Sequence, residues 1–227
     1  MLHSLLRQTE QRWDLLLLDD GSGSIFQSAK PLMDVLSKIK LEGHDIRMLR
    51  NDFSLGVCRA RQQLVDADPW KENEWIVRLD DDCILEPDYL ERLHDIIIDE
   101  GYKTVGIVSG VTPLFGAPPF VRETRFVSPV INKIEFDQEG NIVTYNDDCG
   151  LEYDMPLILN AHQFRSMAMF RRELFDKVKY PRGLSPVGFR EEAHISLQAA
   201  WEGWKCVVNL AAIAHHAPCR FNTQKKL

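Results

Sequence analysis

Three consecutive carboxylates, Asp80-Asp81-Asp82, stand directly after the apolar run Trp75-Ile76-Val77 and before a turn at Glu86-Pro87. Three adjacent anions repel one another and are costly to hold together unless a cation or ordered donors sit among them. A strand that ends on this triplet points alternate residues the same way, so Asp80 and Asp82 can share one side. Hard oxygen ligands of this kind suit Mg²⁺ or Mn²⁺, above all when substrate phosphates complete the coordination. A plain acidic turn has the same local spelling, so the triplet takes its meaning from the elements around it.

Those elements alternate. Residues 2–11 read as the end of an amphipathic helix. Residues 14–18 form a short run in which Leu15 to Leu18 are continuously apolar, and it ends at Asp19-Asp20-Gly21-Ser22, as a strand buried on both faces would. A helix over 29–41, a strand over 46–49, a turn over 51–56 and a helix over 57–65 carrying Arg59 and Arg61 come next. The strand over 74–79 feeds the triplet. Pro87 suits a first helical turn, and Tyr89, Leu90, Leu93, Ile96 and Ile97 form a core-facing stripe to residue 99. A strand over 105–108 follows. This alternation predicts an α/β fold with a mostly parallel sheet and helices on both faces.

The rhythm changes near residue 111. Residues 112–120 hold three prolines and read as a loop. Residues 134–136 and 142–145 flank Asp137 to Asn141 as a β-hairpin, and 146–156 is polar and acidic. A strand over 166–170, a short helix over 172–177, a loop over 180–188, a helix over 191–204 and a strand over 205–210 lead to His215-His216. In the helix, Ala193, Leu197, Ala200, Trp201 and Trp204 follow helical spacing and are expected to face the core. The whole chain, 1–227, reads as one domain with two halves, 1–110 and 111–227.

Composition narrows the function. A net charge of −7 does not indicate a nucleic-acid surface. The five cysteines, at 58, 83, 149, 206 and 219, show no zinc spacing and read as free thiols of a reducing compartment. No apolar run reaches the roughly 18–20 residues of a membrane span, and the apolar run at the start is too short for a signal peptide.

Four segments, in order, resemble the GT-A glycosyltransferases, in particular the inverting family 2. Leu17-Leu18-Asp19-Asp20-Gly21-Ser22 resembles that family's nucleotide-binding turn. Asn51 through Gly56 to Ala60-Arg61 is similar to its N-x-G…AR segment, and Leu79-Asp80-Asp81-Asp82 to its DxD motif. Gly188-Phe189-Arg190-Glu191-Glu192 resembles its Glu-Asp motif at a helix start. The resemblance implies a GT-A, Rossmann-like fold and a metal-dependent transfer from a nucleotide-diphosphate sugar, with uridine the expected base, to a glycan or other hydroxyl acceptor. It implies that Asp20, Asp19, Arg61 and Asp80 bind the nucleotide and that Asp82, with Asp80 and one of His215 and His216, holds Mn²⁺ or Mg²⁺. The general base maps onto Glu192, with Glu191 the alternative, since this chain has Glu-Glu where the family has Glu-Asp. The resemblance further implies polysaccharide synthesis at the cytoplasmic membrane face. A non-catalytic nucleotide- or glycan-binding domain of the same fold is the competing reading. A nucleotidyltransferase is a third, weakened by the lack of an early glycine- and arginine-rich loop.

The family opens on a strand ending in a Pro-x-Tyr-Asn-like turn, and this sequence shows none before residue 2. The expected consequence is unpaired backbone groups and a missing pocket wall. Calorimetry should then find that this chain binds a nucleotide sugar more weakly than a version carrying the upstream strand. Equal affinity would contradict the expectation.

Overall fold

The computed structural model describes residues 1–23, 29–113, 115, 130–144 and 158–217. The chain opens on one helical turn, α1 (Leu2–Leu5). The helix stops short of residue 11 because Gln8 is drawn across to another turn. Its amide donates to the carbonyls of Ser4 and Glu86, its side-chain carbonyl accepts from Leu90 N–H, and Thr9 N–H bonds Pro87 O at 2.8 Å.

Strand β1 (Leu15–Asp19), helix α2 (Lys30–Leu41), β2 (Ile46–Arg50), α3 (Val57–Ala67) and β3 (Trp75–Arg78) follow the expected alternation. Strand β4 (Cys83–Leu85), helix α4 (Tyr89–Ile98) and β5 (Val105–Val111) complete the first half. Next come β6 (Val130–Ile131) and the expected hairpin of β7 (Ile134–Phe136) and β8 (Ile142–Thr144). Then come β9 (Ile158–Ala161), β10 (Ala168–Arg171), a 3-10 turn (Arg172–Asp176), α5 (Glu191–Trp201) and β11 (Lys205–His216). The segment 146–156, most of 112–120, Cys149 and Cys219 lie outside the described residues. Cys58, Cys83 and Cys206 are buried free thiols. No helix among the described residues is long and apolar enough to cross a membrane.

The main sheet runs β3-β10-β5-β11-β9-β6, with β4 beside the far end of β11. Strands β5 and β11 are parallel, and β10 lies antiparallel between β3 and β5, so β3, β5 and β11 point the same way. Strand β9 runs against β11, and β6 runs parallel to β9. The short strands β4, β6 and β9 escape a periodicity reading because they are too brief to show one.

Alternation along the strands feeds two apolar layers. On β10, Met169 joins Val35, Ile39 and Leu93 on one face, whereas Ala168 and Phe170 join Cys58, Ile195 and Ala199 on the other. Val207 and Val208 of β11 divide the same way. Helices α2 and α4 therefore cover one face, and α3 and α5 the other.

One expectation for α5 is corrected. Ala193 is buried as expected, but Ala200 is exposed and Trp201 is 91% exposed, and the helix buries Glu191, Ile195, Ser196 and Ala199 in their place. Glu191, Ile195 and Ala199 are four residues apart, so they share a stripe. Glu191 faces inward, toward arginines described below, and this sets the rotational phase of the helix. Trp204, beyond the helix, packs on Gly106, where an added Cβ would meet the Trp204 Cβ at 2.9 Å.

Strands β1 and β2 form a separate parallel pair that is not hydrogen-bonded to the main sheet. Leu15 N–H donates to Asp45 O and Asp19 O accepts from Asn51 N–H, so odd-numbered residues of β1 face β2. The backbone groups of Leu16 and Leu18 then face the other way. On β3, Glu74 O accepts from Arg172 N–H, so the even positions face β10 and Trp75 and Val77 face outward. These two edges, 15–18 and 75–79, both line a cavity of about 740 Å³. The cavity thus lies as a slot between two strand edges whose outward backbone groups are not paired to each other. An upstream extension that supplies an apolar strand should fill it. At about 1 kcal/mol for each of roughly four new hydrogen bonds, and about 2–4 °C per kcal/mol, the melting temperature should rise by about 10 °C. Scanning calorimetry of the two chains measures this; no rise would mean the edges are not strand acceptors.

Candidate active site

The turn after β1 is built on Gly21, at φ +81°, where a Cβ would run into the Phe53 backbone. That close approach brings residues 51–56 onto the two aspartates. Asp19 accepts from Ser22 N–H at 2.9 Å and pairs with Arg50. Asp20 accepts from the Asn51 amide and the Ser54 hydroxyl, each at 2.8 Å, and from the N–H groups of Leu55 and Gly56. Burial raises the Asp20 pKa, but these bonds outweigh it and hold the carboxyl below its usual range. Asp20 is thus the cap on which the 51–56 loop is docked. The loop in turn accepts the 180–188 segment, because Val57 N–H donates to Pro186 O at 3.0 Å.

The triplet divides its three carboxylates. Asp81 is exposed. Asp80 takes Arg61 Nη2 on Oδ1 at 2.8 Å and the Ser166 hydroxyl on Oδ2. Burial pushes its pKa up, and Arg78, Arg61 and Ser166 together bring it below the ordinary value. Asp82 Oδ2 lies 2.9 Å from His216 Nε2. Strand β4 causes this meeting, since its antiparallel register on β11 sets His216 opposite Cys83. His215 Nε2 is instead 2.8 Å from Glu86, with Phe115 edge-on to its ring at 6.0 Å. Neighbouring strand residues point to opposite sides, so one imidazole of the pair reaches the triplet. Among the described residues no three His, Cys, Asp or Glu side chains converge into a metal cage.

The two carboxylates opening α5 also part ways. The Glu191 side chain is 1% exposed, and its Oε1 accepts from Arg61 Nη1 and, at 2.8 Å, from Arg78 Nη1. Burial raises its pKa toward about 7, against the pull of Arg78 and Arg61. The Glu192 side chain is 26% exposed and lies 3.3 Å from Arg78 Nη2. Arg78 also donates to the Ser166 carbonyl and lies over the Phe164 ring, 4.8 Å from its centroid. Arg59 is on the exposed side of α3, two residues from Arg61.

Arg78 and Ser166 are the members that the sequence reading did not select. Arg78 carried a signal, because a cation closing an apolar strand run needs a buried anion. Ser166 carried none, since its left-handed backbone at φ 57° is a tertiary feature.

The sequence model of glycosyl transferase family 2 matches residues 1–179. The chain belongs to this family. Glu191, Glu192 and the histidine pair lie beyond the matched span. Comparison with curated proteins gives no match. Among solved structures the fold is similar to "Crystal structure of GalNAc-T7 with UDP, GalNAc and Mn2+", at TM-score 0.68 and 16% identity. The match covers 95% of this chain and 39% of that one. It is also similar to the mannosyltransferase PcManGT from Pyrobaculum calidifontis in complex with GDP-Man and Mn²⁺, at TM-score 0.60 and 14% identity, over 97% of this chain and 53% of that one. This family 2 chain thus spans 39% and 53% of those two neighbours and shares the GT-A fold.

The Asp20 cap implies a pH dependence. Its carboxyl is lowered from the ordinary 3.8 in the folded chain, so its contribution is complete well above pH 3.8 and is lost as the pH falls below it. Acid titration by circular dichroism should show Asp20→Asn less stable than the parent at neutral pH, with the gap narrowing as the pH falls below 3.8. A gap that does not change with pH would assign the cap no ionic part.

Proposed function

We propose that the chain transfers a sugar from a nucleotide-diphosphate donor to a hydroxyl acceptor by a single, inverting displacement. The observation that carries this reading is the unequal treatment of Glu191 and Glu192. One carboxylate is enclosed and doubly paired, and its neighbour is partly exposed at the end of the same arginine. A partly exposed carboxylate on a fixed support has the attributes of a general base.

The first half, 1–110, would hold the donor and the second, 111–227, the acceptor and the base. The Asp19-Asp20 turn and the loop it docks would form the nucleotide wall, with Arg61 and Asp80 beside it. Asp82 and His216 offer a carboxylate oxygen and an imidazole nitrogen, two ligands that fit Mn²⁺ or Mg²⁺ when phosphate oxygens supply the rest. Held there, the cation would polarise the diphosphate and offset its charge. Two protein ligands are few, which agrees with a metal that arrives with its nucleotide. His215, turned to Glu86, is the less suited imidazole.

In the transfer, Glu192 takes the proton of the acceptor hydroxyl while that oxygen bonds to the anomeric carbon. The bond from that carbon to the diphosphate oxygen breaks, and the nucleoside diphosphate departs on the opposite face. Glu191, buried, has no path to the acceptor and acts by holding its arginines. The donor is expected to be a UDP-hexose and the acceptor a growing glycan, with the work done at the cytoplasmic membrane face.

A non-catalytic nucleotide-binding role has one observation in its favour: both oxygens of Asp80 are bonded within the protein. Product analysis separates the readings, because transfer releases nucleoside diphosphate, nucleotidyl transfer releases pyrophosphate, and a binding domain releases neither.

Calorimetry with UDP, GDP and TDP, with and without Mn²⁺, should show metal-dependent binding of one nucleotide that Asp82→Ala abolishes. Glu192→Gln should keep that binding and lower kcat by about 10²–10⁴-fold, the range for loss of a general base. Full activity in Glu192→Gln would move the base elsewhere.

A further inference from the structure

The charged groups around Asp80 close into a ring. Asp80 Oδ1 bonds Arg61, whose other terminal nitrogen bonds Glu191 Oε1. The same oxygen takes Arg78 at 2.8 Å. Arg78 reaches the Ser166 carbonyl, and the Ser166 hydroxyl returns to Asp80 Oδ2. Glu192 hangs from this ring at Arg78, 3.3 Å away.

Each member of the ring shares its partner with the next. The ring is poorly hydrated, since Glu191 and Arg78 have side chains 1% and 8% exposed. In such a place a charge cannot lose its partner without being left buried and uncompensated. Arg61 cannot turn away from Asp80 toward a new anion without changing what Glu191 receives. Glu191 would then be left to Arg78 alone, and Arg78 is also the support of Glu192. The strained element of the ring is the Ser166 corner. A serine at φ 57° stays there only while its neighbours hold it, and its two polar groups bridge Asp80 and Arg78.

We propose that Arg78, with Glu191, is a positioning residue that couples occupancy at Asp80 and Arg61 to the placement of Glu192, so that an anionic, metal-bearing ligand on the first half resets the carboxylate on the second. This rests on the donor-site reading above and goes beyond it. The reading assigns the ligand and the base; the ring links them. Such linkage is reciprocal, so Glu192 side interactions feed back on ligand affinity.

The test measures amide hydrogen exchange over 189–194 in the parent, Arg78→Lys and Glu191→Gln chains. Each is measured free and saturated with UDP and Mn²⁺, or with GDP and Mn²⁺ where calorimetry shows that nucleotide to be the one bound. Lysine keeps the charge of Arg78 and loses the fork that spans Glu191 and Glu192. In the parent, ligand should change exchange over 189–194 by a factor within the roughly 5–150-fold range of allosteric coupling. In Arg78→Lys, binding should persist while that response disappears. In turnover, Arg78→Lys should lower kcat more than it raises the donor KM. If Arg78→Lys does not fold, Glu191→Gln carries the same comparison, since it weakens the link while keeping side-chain shape. Ligand binding with no change over 189–194 in the parent would overturn the coupling and leave the donor reading intact. An unaltered response in either folded variant would also overturn it. No binding of any nucleotide by the folded parent would overturn both.

Discussion

Glu191 is the constraint around which this molecule is arranged. A carboxylate with almost no exposure is tolerable only when it is paired, and two arginines donate to it from two different elements. Arg61 comes from α3 and Arg78 from the end of β3, while Glu191 itself opens α5. The pairing therefore ties the triplet, the loop-following helix and the helix of the candidate base to one point. It also sets the rotation of α5, which puts Ile195 and Ala199 in the core and Trp201 in solvent. Breaking one side of such a cluster leaves an uncompensated buried charge, a cost of about 3–5 kcal/mol.

The site uses environment to give like residues unlike roles. Asp80 is enclosed among donors, Asp81 is in solvent and Asp82 meets an imidazole. Glu191 is a buried strut and Glu192 its partly exposed neighbour. His216 turns to the triplet and His215 to Glu86. In each case adjacent residues diverge because backbone geometry sends consecutive side chains in different directions. The slot between β1 and β3 belongs to the same logic. The β1–β2 pair carries the Asp19-Asp20 turn, and it is not hydrogen-bonded to the sheet that carries the triplet. A strand seated in that slot would join the two acidic sites through one continuous ladder.

Much of the fold was legible because its signals are local. Leu15 to Leu18 read as a buried strand, and the α4 stripe of Leu90, Leu93, Ile96 and Ile97 read as a core face. Both stand as read. Strand β4 was not legible, since three residues between a charged triplet and a proline turn carry no period. Its partner is β11, more than a hundred residues away. Trp201 misled because helical spacing fits more than one rotation of α5, and the buried charge at Glu191 overrode the apolar moment.

The sequence by itself determined the α/β alternation, the acidic triplet at a strand end, the glutamate pair at a helix start and membership of glycosyl transferase family 2. These depend on short-range periodicity and on motifs of a few residues. Only the tertiary structure decided which glutamate is enclosed, which histidine meets Asp82, and that Arg78 and Ser166 belong to the site. Those choices turn on partners 113 residues apart for Arg78 and Glu191 and 130 apart for Arg61 and Glu191. The direction of a buried polar side chain is set by where its opposite charge lies, and no local pattern records that.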